Sequence, residues 1–149
     1  MIHYNCEQFM SDIQHLGRLC DSFEADTVVG IARGGVTLAH ALCVNLDVRN
    51  LQSIRMESYD GQSQRSDVKI FGSCDFSRSK RVLIVDDIVD SGKTLSTLLS
   101  LFSNQYPDIT FKSATLYTKS SALIQPDYSL YEAYDWIDFF WERDYLKAN

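Results

Sequence analysis

RVLIVDDIVDSGKTLST, residues 81–97, decides how the rest of the chain is read. Val82-Leu83-Ile84-Val85 is an apolar run too short for a helix and rich in β-branching. It predicts a strand buried on both faces, as in a parallel sheet covered by helices. Asp86 and Asp87 follow at its carboxyl end, the edge at which open α/β sheets bind ligands. Asp90-Ser91-Gly92-Lys93-Thr94 then turns the chain, and Leu95, Leu98, Leu99 and Phe102 recur at helical spacing. A small turn between a strand and a helix amino terminus is a phosphate cradle, because free backbone N–H groups and the helix dipole point into it. The neighbouring acids would repel a bare phosphate. They call for hydroxyl groups, a divalent metal or a proton to accept, all of which accompany a phosphorylated sugar. Gly92-Lys93-Thr94 also matches the end of a Walker A loop, but that pattern needs an earlier glycine where Asp87 stands, so a nucleoside triphosphatase is disfavoured.

Upstream, Thr27 to Ala32 (TVVGIA) predicts another buried strand, running through Arg33-Gly34-Gly35 into a helix from about Val36 to Leu46. Two glycines let the backbone approach a ligand, and Arg33 presents a fork of donors to phosphate; by itself the pair is equally a tight turn. Nearer the amino terminus Asn5 can cap a helix whose buried stripe is Phe9, Ile13, Leu16, Leu19, Cys20 and Phe23, with His15 solvated. Leu51 to Tyr59 alternates in part and predicts a strand, whereas residues 60–80 are polar and aperiodic, the composition of a functional loop or a loose connection. Downstream, Ile109 to Tyr117 (ITFKSATLY) predicts a strand that delivers Lys119 to the ligand edge, and Tyr128 to Tyr134 a further strand. The block from Asp135 to Glu142 holds Trp136, Phe139, Phe140 and Trp141, which suits a core, a dimer face or a ring-binding wall.

The 149 residues amount to one domain, 1–149. A formal net charge of −6 and a pI near 4.9 argue against nucleic-acid or anionic-membrane binding, so phosphate must be met locally by backbone amides, a few cations and metal. The opening MIHYNCEQFM lacks a basic region followed by an apolar core, and no stretch approaches the ~18 apolar residues of a membrane span, so a soluble, cytoplasmic protein is expected. Cys6, Cys20, Cys43 and Cys74 contain no C-x-x-C pair and read as reduced thiols rather than zinc ligands.

The unbroken run from Val82 to Thr94 closely resembles the phosphoribosyl pyrophosphate signature of the type I phosphoribosyltransferases: an apolar strand, two acids, two apolar residues, then Asp-Ser/Thr-Gly-x-Thr. The resemblance implies an α/β fold with a mainly parallel sheet flanked by helices and a small hood. It also implies transfer of 5-phosphoribosyl to a nitrogen nucleophile with release of pyrophosphate, and a Mg²⁺ cofactor. Ala32-Arg33-Gly34-Gly35 resembles the family's pyrophosphate loop, whose first peptide bond is commonly cis. Ser58-Tyr59-Asp60, with Arg65 and Lys69, resembles a lid spanning about 60–80. Lys119 falls where purine-specific members carry a donor to the carbon-6 oxygen. Trp136-Ile137 followed by Trp141-Glu142 resembles the base-binding segment, here about 128–144, of bacterial xanthine-guanine phosphoribosyltransferases, with Phe140 in place of the usual proline and Glu142 where some relatives have Asp.

By this resemblance Arg33, Gly34 and Gly35 would hold pyrophosphate, Asp86 and Asp87 the ribose hydroxyls and metal, and Ser91, Gly92, Lys93 and Thr94 the 5-phosphate. Asp90 would take the purine proton, while Lys119, Trp136, Ile137 and Glu142 would hold a 6-oxopurine. The substrates expected are phosphoribosyl pyrophosphate and guanine, xanthine or hypoxanthine, and the assembly a homo-dimer or homo-tetramer. The rival reading is a non-catalytic sensor of phosphoribosyl pyrophosphate or nucleotides on the same scaffold; a pyrimidine transferase is weakened by the aromatic block.

Overall fold

In the computed structural model, which describes residues 1–59 and 67–149, Arg81–Val85 is a strand at the heart of a five-stranded sheet. The elements run β1 (Ile2–Tyr4), α1 (Cys6–Cys20), β2 (Thr27–Ala32), α2 (Val36–Leu46), β3 (Asn50–Tyr59), β4 (Asp67–Phe71), β5 (Arg81–Val85), β6 (Ile88–Val89), α3 (Lys93–Gln105), β7 (Thr110–Ala114), β8 (Tyr117–Thr118), β9 (Tyr131–Glu132), β10 (Ile137–Phe139) and α4 (Phe140–Arg143). The main sheet has the order β4-β3-β2-β5-β7, parallel except for the antiparallel edge strand β4.

Strand parity divides the core. Val28, Leu83 and Val85 pack with Leu38, Ala39 and Leu42 of α2 and with α1, whereas Val29, Ile31, Val82 and Ile84 pack with Leu95, Leu98 and Phe102 of α3. Helices thus cover both faces, which is why β5 carries a continuous apolar run instead of alternation. α1 begins as its sequence indicates: Asn5 Oδ1 accepts from the Gln8 amide at 2.8 Å. Leu19, however, is exposed, because the helix turns only the stripe through Phe9, Ile13, Leu16 and Cys20 inward.

Three expectations need correction. Residues 60–80 are not one irregular segment: β4 pairs with β3 from Arg55↔Phe71 to Tyr59↔Asp67, and Phe76 is buried edge-to-face against Phe102, Tyr106 and Phe111. The strand expected over 109–117 stops at Ala114. There Thr115 Oγ1 turns back to the Tyr117 carbonyl at 2.8 Å, and the chain leaves the main sheet to form β8 of a small parallel sheet β6-β8-β9. The strand expected over 128–134 shrinks to Tyr131–Glu132, preceded by a single bridge between Ala114 and Tyr128. One strand was not foreseen. β1 pairs in parallel with β10, its Ile2 amide donating to the Trp136 carbonyl at 2.8 Å, and so ties the start of the chain to the aromatic block.

The four thiols stand apart as free cysteines, and burial pushes the Cys20 thiol up to about 12, in keeping with a core role. Among the described residues no helix is long and apolar enough to cross a membrane.

Candidate active site

At the carboxyl edge of the main sheet the loops after β2 and β5 interlock. Gly35 lies so close to the end of β5 that a side-chain carbon there would stand 2.5 Å from the Val85 carbonyl oxygen and 2.8 Å from Asp86 Cα. On Gly34 it would stand 2.5 Å from Asp87 Oδ2. Gly35 is therefore required by backbone contact and not by turn geometry, a side chain on Gly34 would push the Asp87 carboxylate aside, and the two glycines seat the acidic pair directly against the loop that carries Arg33. The Ala32–Arg33 peptide bond at the start of that loop is cis.

Asp86 and Asp87 are held rigidly. Asp86 Oδ1 accepts from the Asp87 amide at 2.9 Å, Asp87 Oδ1 accepts from the Ile88 amide at 2.8 Å, and the Asp87 carbonyl receives the Leu116 and Tyr117 amides. Burial, and then the charge of Asp87, drive the Asp86 carboxyl well above the usual carboxylate range. Asp87 is raised as well, by burial first and with the nearby Glu142 charge adding to it. Two crowded, desolvated carboxylates are costly unless something arrives to pair with them.

The turn expected to cradle phosphate follows. Ser91 Oγ accepts from the Lys93 amide at 3.2 Å, and the Ser91 carbonyl receives the Leu123 amide at 2.8 Å, pinning the turn to the loop after β8. Gly92 adopts φ 84°, and a side-chain carbon there would meet the Leu123 and Ile124 amide nitrogens at 2.9 Å, so both its conformation and its surroundings demand glycine. α3 starts at Lys93, and the first-turn amides of α3, Thr94 among them, face the turn without intrahelical acceptors.

One cavity of about 510 Å³ joins this edge to the aromatic block, lined by Asp87, Ile88, Asp90 and Lys119 on one side and by residues from Asp135 to Leu146 on the other. Lys119 Nζ and Asp90 Oδ1 form an ion pair at 2.7 Å across the ends of β8 and β6. Trp136 is 72% exposed at the mouth, while Ile137, Phe139, Phe140 and Trp141 are buried, Phe139 stacking on Trp141 at 4.7 Å. Three rings and Ile137 of the block are thus core, and the fourth ring, Trp136, is exposed. Glu142 Oε2 accepts from Arg33 Nη2 at 3.3 Å, bridging the pyrophosphate-like loop to the carboxyl-terminal wall.

Of the expected lid residues, Ser58 is exposed on β3, Tyr59 ends that strand, and Lys69 lies on β4 with its ammonium over the Phe71 ring at 5.3 Å; Arg65 lies outside the described residues. The sequence reading placed a base-binding segment at about 128–144 but gave no individual site role to Ile88, Asp135, Asp138, Phe139, Arg143 and Leu146, which complete the cavity wall. Alternation along β10 carried a signal for Asp138, since Ile137 and Phe139 turn into the core and leave Asp138 on the opposite face.

The sequence model of the phosphoribosyl transferase domain family matches residues 5–147. The chain is 34% identical over 149 residues to a xanthine-guanine phosphoribosyltransferase of Cereibacter sphaeroides, covering 94% of this chain and 86% of that one. The solved structure of a Helicobacter pylori xanthine-guanine-hypoxanthine phosphoribosyltransferase superposes with a TM-score of 0.88 at 36% identity over 96% of this chain and 94% of the other. A purine phosphoribosyltransferase from Pyrococcus horikoshii gives 0.84 at 28% identity over 99% and 97%.

Proposed function

The chain belongs to the phosphoribosyl transferase domain family, and on that premise we propose that it is a purine salvage enzyme moving 5-phosphoribosyl from phosphoribosyl pyrophosphate to a 6-oxopurine. The observation that carries this reading is the single cavity in which the acidic shelf of Asp87 and Asp90 meets Lys119 and the presented ring of Trp136. A phosphate turn alone would suit a sensor; a base-sized wall facing the sugar site suits transfer.

In the reaction the bond from the anomeric carbon to pyrophosphate breaks, positive charge develops on the ribose, and a purine ring nitrogen forms the new bond while giving up its proton. Arg33 and the amides of Gly34 and Gly35 bind the leaving pyrophosphate, and the α3 amino terminus with Ser91, Lys93 and Thr94 binds the 5-phosphate. Asp86 and Asp87 accept from the ribose hydroxyls and oppose the positive charge of the transition state. Asp90 receives the purine proton, and its ion pair with Lys119 keeps an ammonium beside the carbon-6 oxygen. Trp136 stacks on the base, with Ile137 and Glu142 closing the end of the site.

Mg²⁺ suits this donor set. Among the described residues no group of three or more acidic, His or Cys side chains forms a dedicated cage, but adjacent carboxylates at Asp86 and Asp87 match an ion that keeps water and substrate phosphate oxygens as its other ligands. When bound, it neutralises charge on the departing pyrophosphate. The protein is expected to act in the cytoplasm as a homo-dimer or homo-tetramer.

Incubation with phosphoribosyl pyrophosphate, Mg²⁺ and each nucleobase in turn should give nucleotide from 6-oxopurines and little from adenine, which opposes a donor to the Lys119 donor. Lys119→Met should narrow that gap by about five- to a hundredfold, the equivalent of roughly 1–3 kcal/mol for a site donor and its acceptor. Efficient use of adenine by the wild type would overturn the base assignment, and the absence of turnover with every base would return the sensor reading.

A further inference from the structure

The guanidinium that the transfer reading gives to pyrophosphate is paired with an acid of the protein itself. Arg33 Nη2 donates to Glu142 Oε2 at 3.3 Å, joining the loop after β2 to helix α4. The Arg33 side chain is 90% exposed and that of Glu142 41%, so neither is fixed by packing and the contact can open without disturbing the core. Glu142 stands where the parts of the site converge. It lines the main cavity with Asp87 and Lys119, and a second chamber of about 360 Å³ with Arg33, Thr37 and Trp141. Its charge reaches the acidic shelf, where it adds to burial in raising the Asp87 carboxyl.

Resting on the transferase reading, we propose that Glu142 is a positioning residue for Arg33: it competes with pyrophosphate for the guanidinium. A guanidinium grips phosphate best through two parallel N–H bonds, and one of the two terminal nitrogens of Arg33 is turned to Glu142. Phosphoribosyl pyrophosphate therefore draws Arg33 off Glu142 as it enters, and Glu142 recaptures Arg33 as pyrophosphate leaves. The contact weakens the binding of substrate and of leaving group alike, and it hastens release of the second. An exposed ion pair is a weak competitor, able to shift a dissociation constant by up to about fivefold, so Glu142 tunes the exchange without blocking it.

The test is calorimetric titration of inorganic pyrophosphate, with Mg²⁺ present, into the wild type, Glu142→Gln, Arg33→Gln and the double variant. Ribose 5-phosphate, which carries the group meant for the phosphate turn and none for Arg33, is the reference ligand. Glu142→Gln should bind pyrophosphate about two- to fivefold more tightly and leave ribose 5-phosphate unchanged. Pyrophosphate should then inhibit turnover of that variant at correspondingly lower concentration. In the Arg33→Gln background the same substitution should change nothing, because no guanidinium is left to contest. A merely structural role, or a role in holding metal, predicts the opposite sign. Weaker or unchanged pyrophosphate binding by Glu142→Gln overturns the proposal. So does a tightening that extends to ribose 5-phosphate or persists without Arg33, since Glu142 would then act only as a diffuse negative charge. In each of these cases the transferase reading stands. If the wild type binds no pyrophosphate and converts no base, both readings fall.

Discussion

At the residue scale the acidic shelf sets function against stability. Asp86 is half-buried beside Asp87, and desolvation followed by the Asp87 charge raises its carboxyl, so the folded protein holds a proton there at pH values where the unfolded chain has lost it. By linkage the fold is then favoured at low pH and loses stability as pH rises from the ordinary carboxylate range, near 4, through the raised folded-state value. Asp86→Asn removes this penalty with almost no change of volume. The variant should unfold at higher urea than the wild type at pH 7, and the two should converge near pH 4. Its affinity for phosphoribosyl pyrophosphate should fall about ten- to a hundredfold, the worth of a hydrogen bond to a charged group. A variant less stable than wild type at pH 7 would show that the Asp86 carboxyl is not the source of the penalty, and one that binds the sugar phosphate as tightly in calorimetry would remove Asp86 from the sugar site.

The elements show where local sequence carries information and where it does not. β2, α2 and β5 coincide with their sequence signals because each owns a continuous apolar run or stripe and a nearby stop or start residue. β1 has only Ile2-His3-Tyr4, and its partner lies at Ile137 to Phe139; a pairing between the two ends of the chain leaves no local trace. β4 was hidden in a polar stretch because an edge strand needs to bury little. The same contrast separates the parts of the site: the acids and the phosphate turn are contiguous in sequence, whereas Arg143, Asp138 and Ile88 come together only through β10, α4 and β6. If β1 seats the base wall, then Ile2→Pro, which deletes the amide bound to the Trp136 carbonyl, should raise KM for the purine by about five- to tenfold and spare affinity for phosphoribosyl pyrophosphate. Ile2→Val keeps the amide and should behave as wild type. Equal losses for both substrates would mean that β1 supports the fold as a whole and not the base wall.

For the molecule as a whole, the joint between the main sheet and the proposed hood is a polar knot centred on a buried carboxylate. Asp12 of α1, only 4% exposed, accepts from Tyr4 Oη of β1 at 2.7 Å and from Tyr131 Oη of β9 at 2.6 Å, so one carboxylate fastens three elements that share no strand pairing. Burial, followed by the hydrogen bond and charge of Asp12, pushes the Tyr4 phenol far above the ordinary tyrosine range; burial and Asp12 raise Tyr131 too. The folded state therefore keeps phenolic protons that the unfolded chain gives up near pH 10, and the stability from this knot is complete below that pH and declines as pH rises above it. Tyr4→Phe should cost about 1–3 kcal/mol at pH 8 by taking a donor from a buried carboxylate, yet its loss of stability between pH 8 and pH 11 should be shallower than that of the wild type. Because the knot stands beside β10, purine affinity should fall with it while the phosphate turn, anchored in the main sheet, keeps its ligand. Urea denaturation at the two pH values gives the slopes. Parallel declines for wild type and variant would show that alkaline unfolding begins elsewhere and that the hood is not held through Tyr4.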